Sequence, residues 1–370
     1  MDNVTHSLVG AALAETGLKR ITPLGSATLI VAANIPDVDV ISLAFGPFAY
    51  LKWHRGITHS LIGFPIVALL LALCMYAAAR IAYRRGKLPS PAGFAPLLLL
   101  SFVGTVTHPL LDFTNSYGWR PFLPFNDEWH YIDLTFVADP WIWLALGATV
   151  FLARAKSRRA IVLWISGAVI AGSVIVLSGV APVIKIIWIT AACVIGALRF
   201  FKVEEKAARE LNIAGVSALI LYIVVLAILH VTALFRAAEA AQVAVAPSKQ
   251  VVEINALPSE ANPLKWRAFV STEDGYQVAD VNLLGPGNDA STTFQALPRL
   301  DGPQSALDAA GTHPDVRTFL RFARYPVTRV TPRAGGQTVE IEDIRFGLNT
   351  NAFRIKVDLD ETLKPVRVYR

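Results

Sequence analysis

The sequence predicts an all-α polytopic membrane domain, a short N-terminal helical hairpin plus about six transmembrane helices, followed by a small β-rich soluble domain. Three observations predict it. Only 17% of the 370 residues are charged and 54% are hydrophobic, against roughly 25% charged in ordinary soluble chains. Apolar runs near the ~20 residues that a bilayer span needs fill the first two-thirds of the chain. Beyond about residue 246 they give way to alternating patterns punctuated by Pro and Gly, which argues strands and turns. The domains are placed at 1–240 and 246–370.

The first two apolar stretches, Val4 to Leu18 and Ile21 to Ile35, are short and are separated by Lys19-Arg20. They read as a helical hairpin that brings Asn34-Ile35-Pro36-Asp37 back to the level of His6. The long runs follow: Leu61 to Ala82, Phe94 to Leu111, Phe136 to Ala153, Ile161 to Val180, Val183 to Phe200 and Asn212 to Phe235. Basic residues fall in three loops, Arg80/Arg84/Arg85/Lys87, Arg154/Lys156/Arg158/Arg159 and Arg199/Lys202/Lys206/Arg209. The positive-inside rule puts these on the cytoplasmic side. The loop from Phe113 to Thr135 holds Arg120 as its one basic residue, against Asp127, Glu128 and Asp133, so it is expected to face outward. The same count sends the C-terminal domain outside the cytoplasm. Its expected strands are Val251–Ile254, Tyr276–Leu284, Thr338–Phe346 and Phe353–Leu359.

The remaining bulk features exclude more than they assign. The net charge of +6 is explained by membrane orientation, and no basic patch interleaved with aromatics suggests nucleic acid. Cys74 and Cys193 lie inside apolar runs and read as core thiols. The N-terminus MDNVTHSLVG lacks the basic start of a cleaved signal peptide, so His6 is expected to remain in the mature chain.

Chemistry concentrates in histidines with a shared context. Thr5-His6-Ser7-Leu8, Thr58-His59-Ser60-Leu61 and Thr107-His108-Pro109-Leu110 repeat one pattern, a repeated local task at helix ends. His54 and His59 lie in HRGITHS, where Gly56 lets the backbone turn between them. His108 and Asp112 are four apart and share a helix face. Asp37 and Asp39 lie in NIPDVD, where Pro36 breaks the preceding helix. The topology brings His6, Asp37, Asp39, His54, His59, His108 and Asp112 to one membrane level.

Imidazole and carboxylate donors suit a divalent metal, zinc first, with manganese or iron as alternatives. Seven such residues exceed the roughly three protein ligands of one catalytic zinc, which leaves room for more than one ion. Carboxylates bordering apolar runs usually pair, bind ions or line a polar cavity. Taken singly, each histidine also reads as a cap or an interfacial side chain, and Asp37 and Asp39 as a turn. Asp39 is read as a ligand, a general base or a support behind a ligand. Arg55 is read as a donor to a phosphate or as a snorkelling interfacial residue. His130, Asp133 and Asp139 are further candidates, with Asp139 at the start of a span. The aromatic residues around them suit an interfacial belt.

At these residues the chain resembles the membrane-bound metal-dependent hydrolase family, which includes the SOS-regulated inner-membrane hydrolases of bacteria. The matching elements are Thr-His-Ser within MDNVTHSLVG, the Asn-Ile-Pro-Asp-Val-Asp block, HRGITHS and HPLLDFTNSYG, within residues 1–145. The resemblance implies a multi-pass inner-membrane hydrolase. A more distant similarity, in ligand types and the His108-x3-Asp112 spacing, is to zinc-dependent phospholipase C. This chain departs from that enzyme by setting the cluster between membrane spans and by lacking its N-terminal tryptophan ligand. The expected function is hydrolysis of an ester or phosphoester of an amphiphilic or lipid-linked substrate reached from the lipid bilayer, at the extracytoplasmic side. The rivals are a metal-binding transporter and a structural or signalling membrane protein.

Overall fold

A computed structural model describes residues 1–178, 180–199, 201, 203–285, 293–347 and 353–369. Phe200 and Lys202, used above to delimit a run and a basic loop, lie outside the described residues. The chain forms two compact units. One comprises Met1–Asp39, Arg55–Ile228 and Pro258–Pro263; the other Val40–His54, Leu229–Leu257 and Leu264–Arg370. Residues 40–54 go with the second unit although they lie early in the chain.

The helices in chain order are α1 (Asn3–Glu15), α2 (Gly25–Ala32), α3 (Pro47–Trp53), α4 (Gly63–Arg84), α5 (Phe94–Phe113), α6 (Pro140–Arg154), α7 (Arg158–Leu177), α8 (Pro182–Leu198) and α9 (Glu205–Ala244). Helices α4, α5, α7 and α9 are long and apolar enough to cross a membrane. A fifth span arises if α2 and the 3₁₀ segment Ile35–Phe45, bent by 47°, are taken together. The expected count was about six. The runs Phe136–Ala153 and Val183–Phe200 become helices of 15 and 17 residues, about 22–26 Å at 1.5 Å per residue, shorter than the roughly 30 Å hydrocarbon core. The first is shortened because Asp139 caps it, accepting from the Trp141 and Ile142 N–H groups, and Pro140 occupies its first position.

The first unit packs around α1. Leu8, Val9 and Ala12 of α1 meet Leu111 of α5, Ile142, Leu146 and Val150 of α6, and Leu219 of α9. Gly10 allows α1 to lie against α2, since a Cβ there would stand 2.7 Å from the Leu29 carbonyl oxygen. Helix α7, by contrast, turns Val162, Leu163, Val169 and Ile170 outward. An apolar surface of that kind suits lipid rather than water. Polar ties fasten the end of α1: Glu15 accepts from Arg154 at 2.8 Å, and Arg209 donates to the Thr16 carbonyl at 2.8 Å.

The second unit carries two sheets. Strands β1 (Val251–Ser259), β2 (Asn262–Thr272), β3 (Gly275–Asn282) and β4 (Gln295–Pro298) pair in that order. Strands β5 (Leu300–Asp301), β6 (Pro326–Arg333), β7 (Gly336–Asp343), β8 (Arg354–Asp360) and β9 (Pro365–Tyr369) form the other, with β5 parallel to β6 and the rest antiparallel. The four expected strands correspond to β1, β3, β7 and β8, although the third, expected to reach Phe346, ends at Asp343 and passes into the 3₁₀ turn Ile344–Phe346. Helices α10 (Gln304–Ala310) and α11 (Pro314–Phe322) join them; α11 buries Val316, Phe319 and Phe322, a one-sided spacing. Trp266 and Phe269 of β2 are fully buried, and Tyr325 stacks on Phe269 with ring centres 4.5 Å apart. His230, at the start of this unit's share of α9, lies against Trp266.

Candidate metal centre

Four side chains from three separate segments converge on one point in the first unit. His108 and Asp112 occupy the last two turns of α5 and are almost wholly buried. Asp37 lies in the 3₁₀ segment after α2, where Pro36 has no N–H to continue the helix. His59 closes the 3₁₀ turn Ile57–His59. That turn is held tightly. Ser60 Oγ donates to the Ile57 carbonyl and accepts from the Gly63 N–H, and Trp119 Nε1 donates to the His59 carbonyl at 2.8 Å. Gly63 is required there, because a Cβ would fall 1.5 Å from the Ile57 oxygen.

The donor atoms are His59 Nε2, His108 Nε2, Asp37 Oδ1 and Asp112 Oδ2. His59 Nε2 is 3.1 Å from His108 Nε2. Asp37 Oδ1 is 3.4 Å from His59 Nε2 and 3.3 Å from His108 Nε2. Asp112 Oδ2 is 3.5 Å from each imidazole nitrogen. A tetrahedral ion with bonds of ~2.0–2.1 Å separates its ligands by about 3.3 Å. These side chains therefore already stand at the spacing of a ligand shell, and they could hold a metal ion.

Groups behind the donors fix their orientation. His108 Nδ1 lies 2.7 Å from the Ala33 carbonyl oxygen, so it carries the proton and turns the Nε2 lone pair inward. His59 Nδ1 lies 3.3 Å from Asp39 Oδ2, which also accepts from Thr58 Oγ1 at 3.2 Å. Asp39 thus stands behind His59, in the position of the carboxylate that typically backs a metal-binding imidazole. Asn3 Nδ2 donates to Asp37 Oδ2 at 2.9 Å, away from the donor oxygen.

Charge supports a cation as well. Burial pushes the His59 imidazole down, but Asp112, Asp37 and Asp39 outweigh it and raise its pKa to about 10. A proton on His59 adds to Arg55 and the Met1 amino group in balancing these carboxylates. A divalent ion would replace that proton.

The other candidate residues take different places. His6 stacks on His108 with ring centres 3.7 Å apart, and its Nε2 is 3.4 Å from Asp112 Oδ1, the oxygen turned away from the four-donor point. His54 belongs to the second unit, where it closes α3 and its ring stacks on Tyr50 at 4.5 Å. Arg55 is buried, and its terminal nitrogens engage Asp112, Asn115 and Gly118 rather than facing a ligand. Asp139 is a helix cap that also accepts from Tyr222 at 3.0 Å. His130 pairs with Trp119 through backbone hydrogen bonds in both directions, and Asp133 is a buried residue with φ of 52°. In the sequence, Thr58 stands in the Thr-His pattern and Asn115 and Tyr117 within HPLLDFTNSYG without a role for any of them, and Trp119 reads as part of an interfacial belt, whereas Trp119 holds the His59 carbonyl.

Residues 1–183 match the model of a family described as YdjM inner membrane protein. The chain is 31% identical over 131 residues to the inner membrane protein YbcI of Escherichia coli, covering 34% of this chain and 68% of YbcI. It is 26% identical over 155 residues to YfhP of Bacillus subtilis, covering 39% of this chain and 44% of YfhP. The match therefore spans less than half of YfhP. No solved structure matches the chain.

Proposed function

We propose, from the premise that the chain belongs to the YdjM inner membrane protein family, that this multi-pass membrane protein is a metal-dependent hydrolase. Its substrate is an ester or phosphoester of a lipid or lipid-linked molecule. The observation that carries the reading is the set of five donor separations between 3.1 and 3.5 Å.

Asp37, His59, His108 and Asp112 would hold the ion. A divalent ion there would polarise a carbonyl or phosphoryl oxygen and lower the pKa of a bound water; zinc is the first choice for this donor set, with manganese and iron as alternatives. Asp39 keeps the His59 ring oriented and is the carboxylate nearest to a proton on its far side. His6 lies beside Asp112 and is available to a second ion or to the substrate. Asp37 is the most exposed donor, its side chain 14% accessible against 0–1% for the other three. That makes it the donor placed to give way to a substrate.

We place the site on the extracytoplasmic side by the positive-inside rule, a reading that requires the short helices α6 and α8 to cross as well, so that the three basic loops fall together on the opposite side. Ile57, Leu61, Ile62 and Phe122, adjacent to His59 and its supporting loop, expose apolar side chains. An amphiphile could present its polar head to the ion from there while its chain stays in lipid.

One observation favours a second reading. Four protein donors are one more than a catalytic zinc usually has, and closed four-donor sites are usually structural. The ion would then tie the segment after α2, the Ile57–His59 turn and α5 together. The two readings separate in one assay. Full-length protein in detergent, metal-loaded or chelator-stripped, is given a panel of phospholipid, lipid-linked phosphate and carboxyl esters. The hydrolase reading predicts turnover by the loaded protein, lost on stripping and in His108→Ala. A stoichiometric ion with no turnover of any ester would overturn it in favour of the structural reading.

A further inference from the structure

We infer that Arg55 is the positioning residue that makes Asp112 offer a single oxygen to the metal ion, and that it thereby sets the coordination number of the centre. The inference rests on the metal-binding reading above and concerns how that site is built.

Arg55 sits in a conformation that costs energy. Its φ is 51°, in the left-handed region that favours glycine, although Gly56 is its neighbour. A non-glycine residue persists there only when its surroundings over-determine it. Its side chain is 3% accessible, and the guanidinium lies over the Tyr117 ring, 4.6 Å from its centre. One terminal nitrogen, Nη1, donates to the carbonyl oxygens of Asp112 and Gly118 at 3.1 and 2.8 Å and to Asn115 Oδ1 at 3.1 Å. The other, Nη2, donates to Asp112 Oδ1 at 2.9 Å. The same cation therefore grips both the backbone and the carboxylate of one residue.

The consequence lies in which oxygen remains. Asp112 Oδ1 is taken by Arg55, by the Met1 amino group and by the neighbourhood of His6. Oδ2 is the oxygen that faces His59 and His108. A carboxylate free to rotate can chelate an ion through both oxygens and fill two positions. Gripped in this way, Asp112 is held to one. The planar fork of an arginine is suited to this, because it donates in two fixed directions at once; an ammonium is a point charge and does not.

The test uses full-length protein in detergent, stripped of metal and titrated with cobalt(II). Cobalt reports its coordination number in its visible spectrum, with intense bands when four-coordinate and weak ones when five- or six-coordinate. Wild type is expected to give the intense bands. Arg55→Ala is expected to bind about 10–100-fold more weakly, the range for a residue that orients a ligand, and to shift towards the weak spectrum as Asp112 uses both oxygens. Arg55→Lys keeps the charge without the fork and should not restore the wild-type spectrum; it carries the test should Arg55→Ala fail to fold. Wild-type affinity and spectrum in Arg55→Lys would overturn the inference. So would weaker binding with an unchanged spectrum in the Arg55 variants, which marks a merely structural residue. Absence of any cobalt spectrum in folded wild type would instead overturn the metal reading on which the inference rests.

Discussion

His59 Nε2 and His108 Nε2 lie 3.1 Å apart, although 49 positions separate the residues in the chain. Each ring is turned inward by a partner on its other nitrogen, Asp39 for His59 and the Ala33 carbonyl for His108. The pair is thus oriented before any ion arrives, which reduces the ordering cost of binding one.

Asp39 should affect metal binding by holding the His59 ring. Asp39→Ala removes the carboxylate behind Nδ1 and leaves the four donors in place. Metal affinity is expected to fall by about 10–100-fold without being abolished, as read by competition with a chromophoric chelator. Complete loss of binding would make Asp39 a ligand itself.

Gly63 guards the geometry of His59 from outside the site. Gly63→Ala places a Cβ 1.5 Å from the Ile57 oxygen, so the Ile57–His59 turn must move. The expected outcome is a protein that still inserts into membranes but has lost most of its bound metal. Metal content measured beside wild type checks it, and full occupancy would show that the turn tolerates displacement.

The metal-free protein should lose stability as the pH rises. The pKa of His59 is raised from 6.5 to about 10 by Asp112, Asp37 and Asp39 against the opposing effect of burial. A group raised on folding stabilises fully below its unfolded value and loses that contribution as pH climbs through its folded value. The melting temperature of stripped protein should therefore fall between about pH 6.5 and pH 10, and saturating zinc should flatten the decline. A stripped protein whose melting temperature is level across that window would contradict the charge balance described here.

In the second unit, Arg345 and Asp343 form a buried pair, with Arg345 Nε donating to Asp343 Oδ2 at 2.8 Å and Nη2 to the Phe322 carbonyl at 2.8 Å. Both side chains are wholly inaccessible. Arg345→Ala strands the carboxylate, and breaking such a pair from one side costs about 3–5 kcal/mol. Denaturant unfolding of the full chain should show that loss in the transition of the β-rich part.

Much of this centre was legible in the sequence. The Thr-His-[Ser/Pro]-Leu repeats marked His6, His59 and His108, the four-residue spacing added Asp112, and Pro36 marked the turn that carries Asp37. What could not be read was which residues meet at the four-donor point and which stand behind it. Asp37 and Asp39 differ by two positions in one short segment, and only the three-dimensional path of that segment turns Asp37 to His59 Nε2 and His108 Nε2 and Asp39 to His59 Nδ1. The role of Arg55 was hidden for a related reason: its partners lie 57–63 positions away, and two of them are backbone carbonyls, which leave no mark in a sequence. Strand β2 went unnamed although Leu264-Lys265-Trp266-Arg267-Ala268 alternates; the run Ala268 to Thr272, buried throughout, interrupts that pattern.

The convergence of Asp37, His59, His108 and Asp112 on one ion is tested most directly by elemental analysis of the purified full-length protein. One or more tightly held divalent ions per chain are expected in wild type, with loss in both His59→Ala and Asp112→Ala while folding is retained. Undiminished metal in those two variants, or none in a folded wild-type protein offered zinc, manganese and iron, would contradict the account.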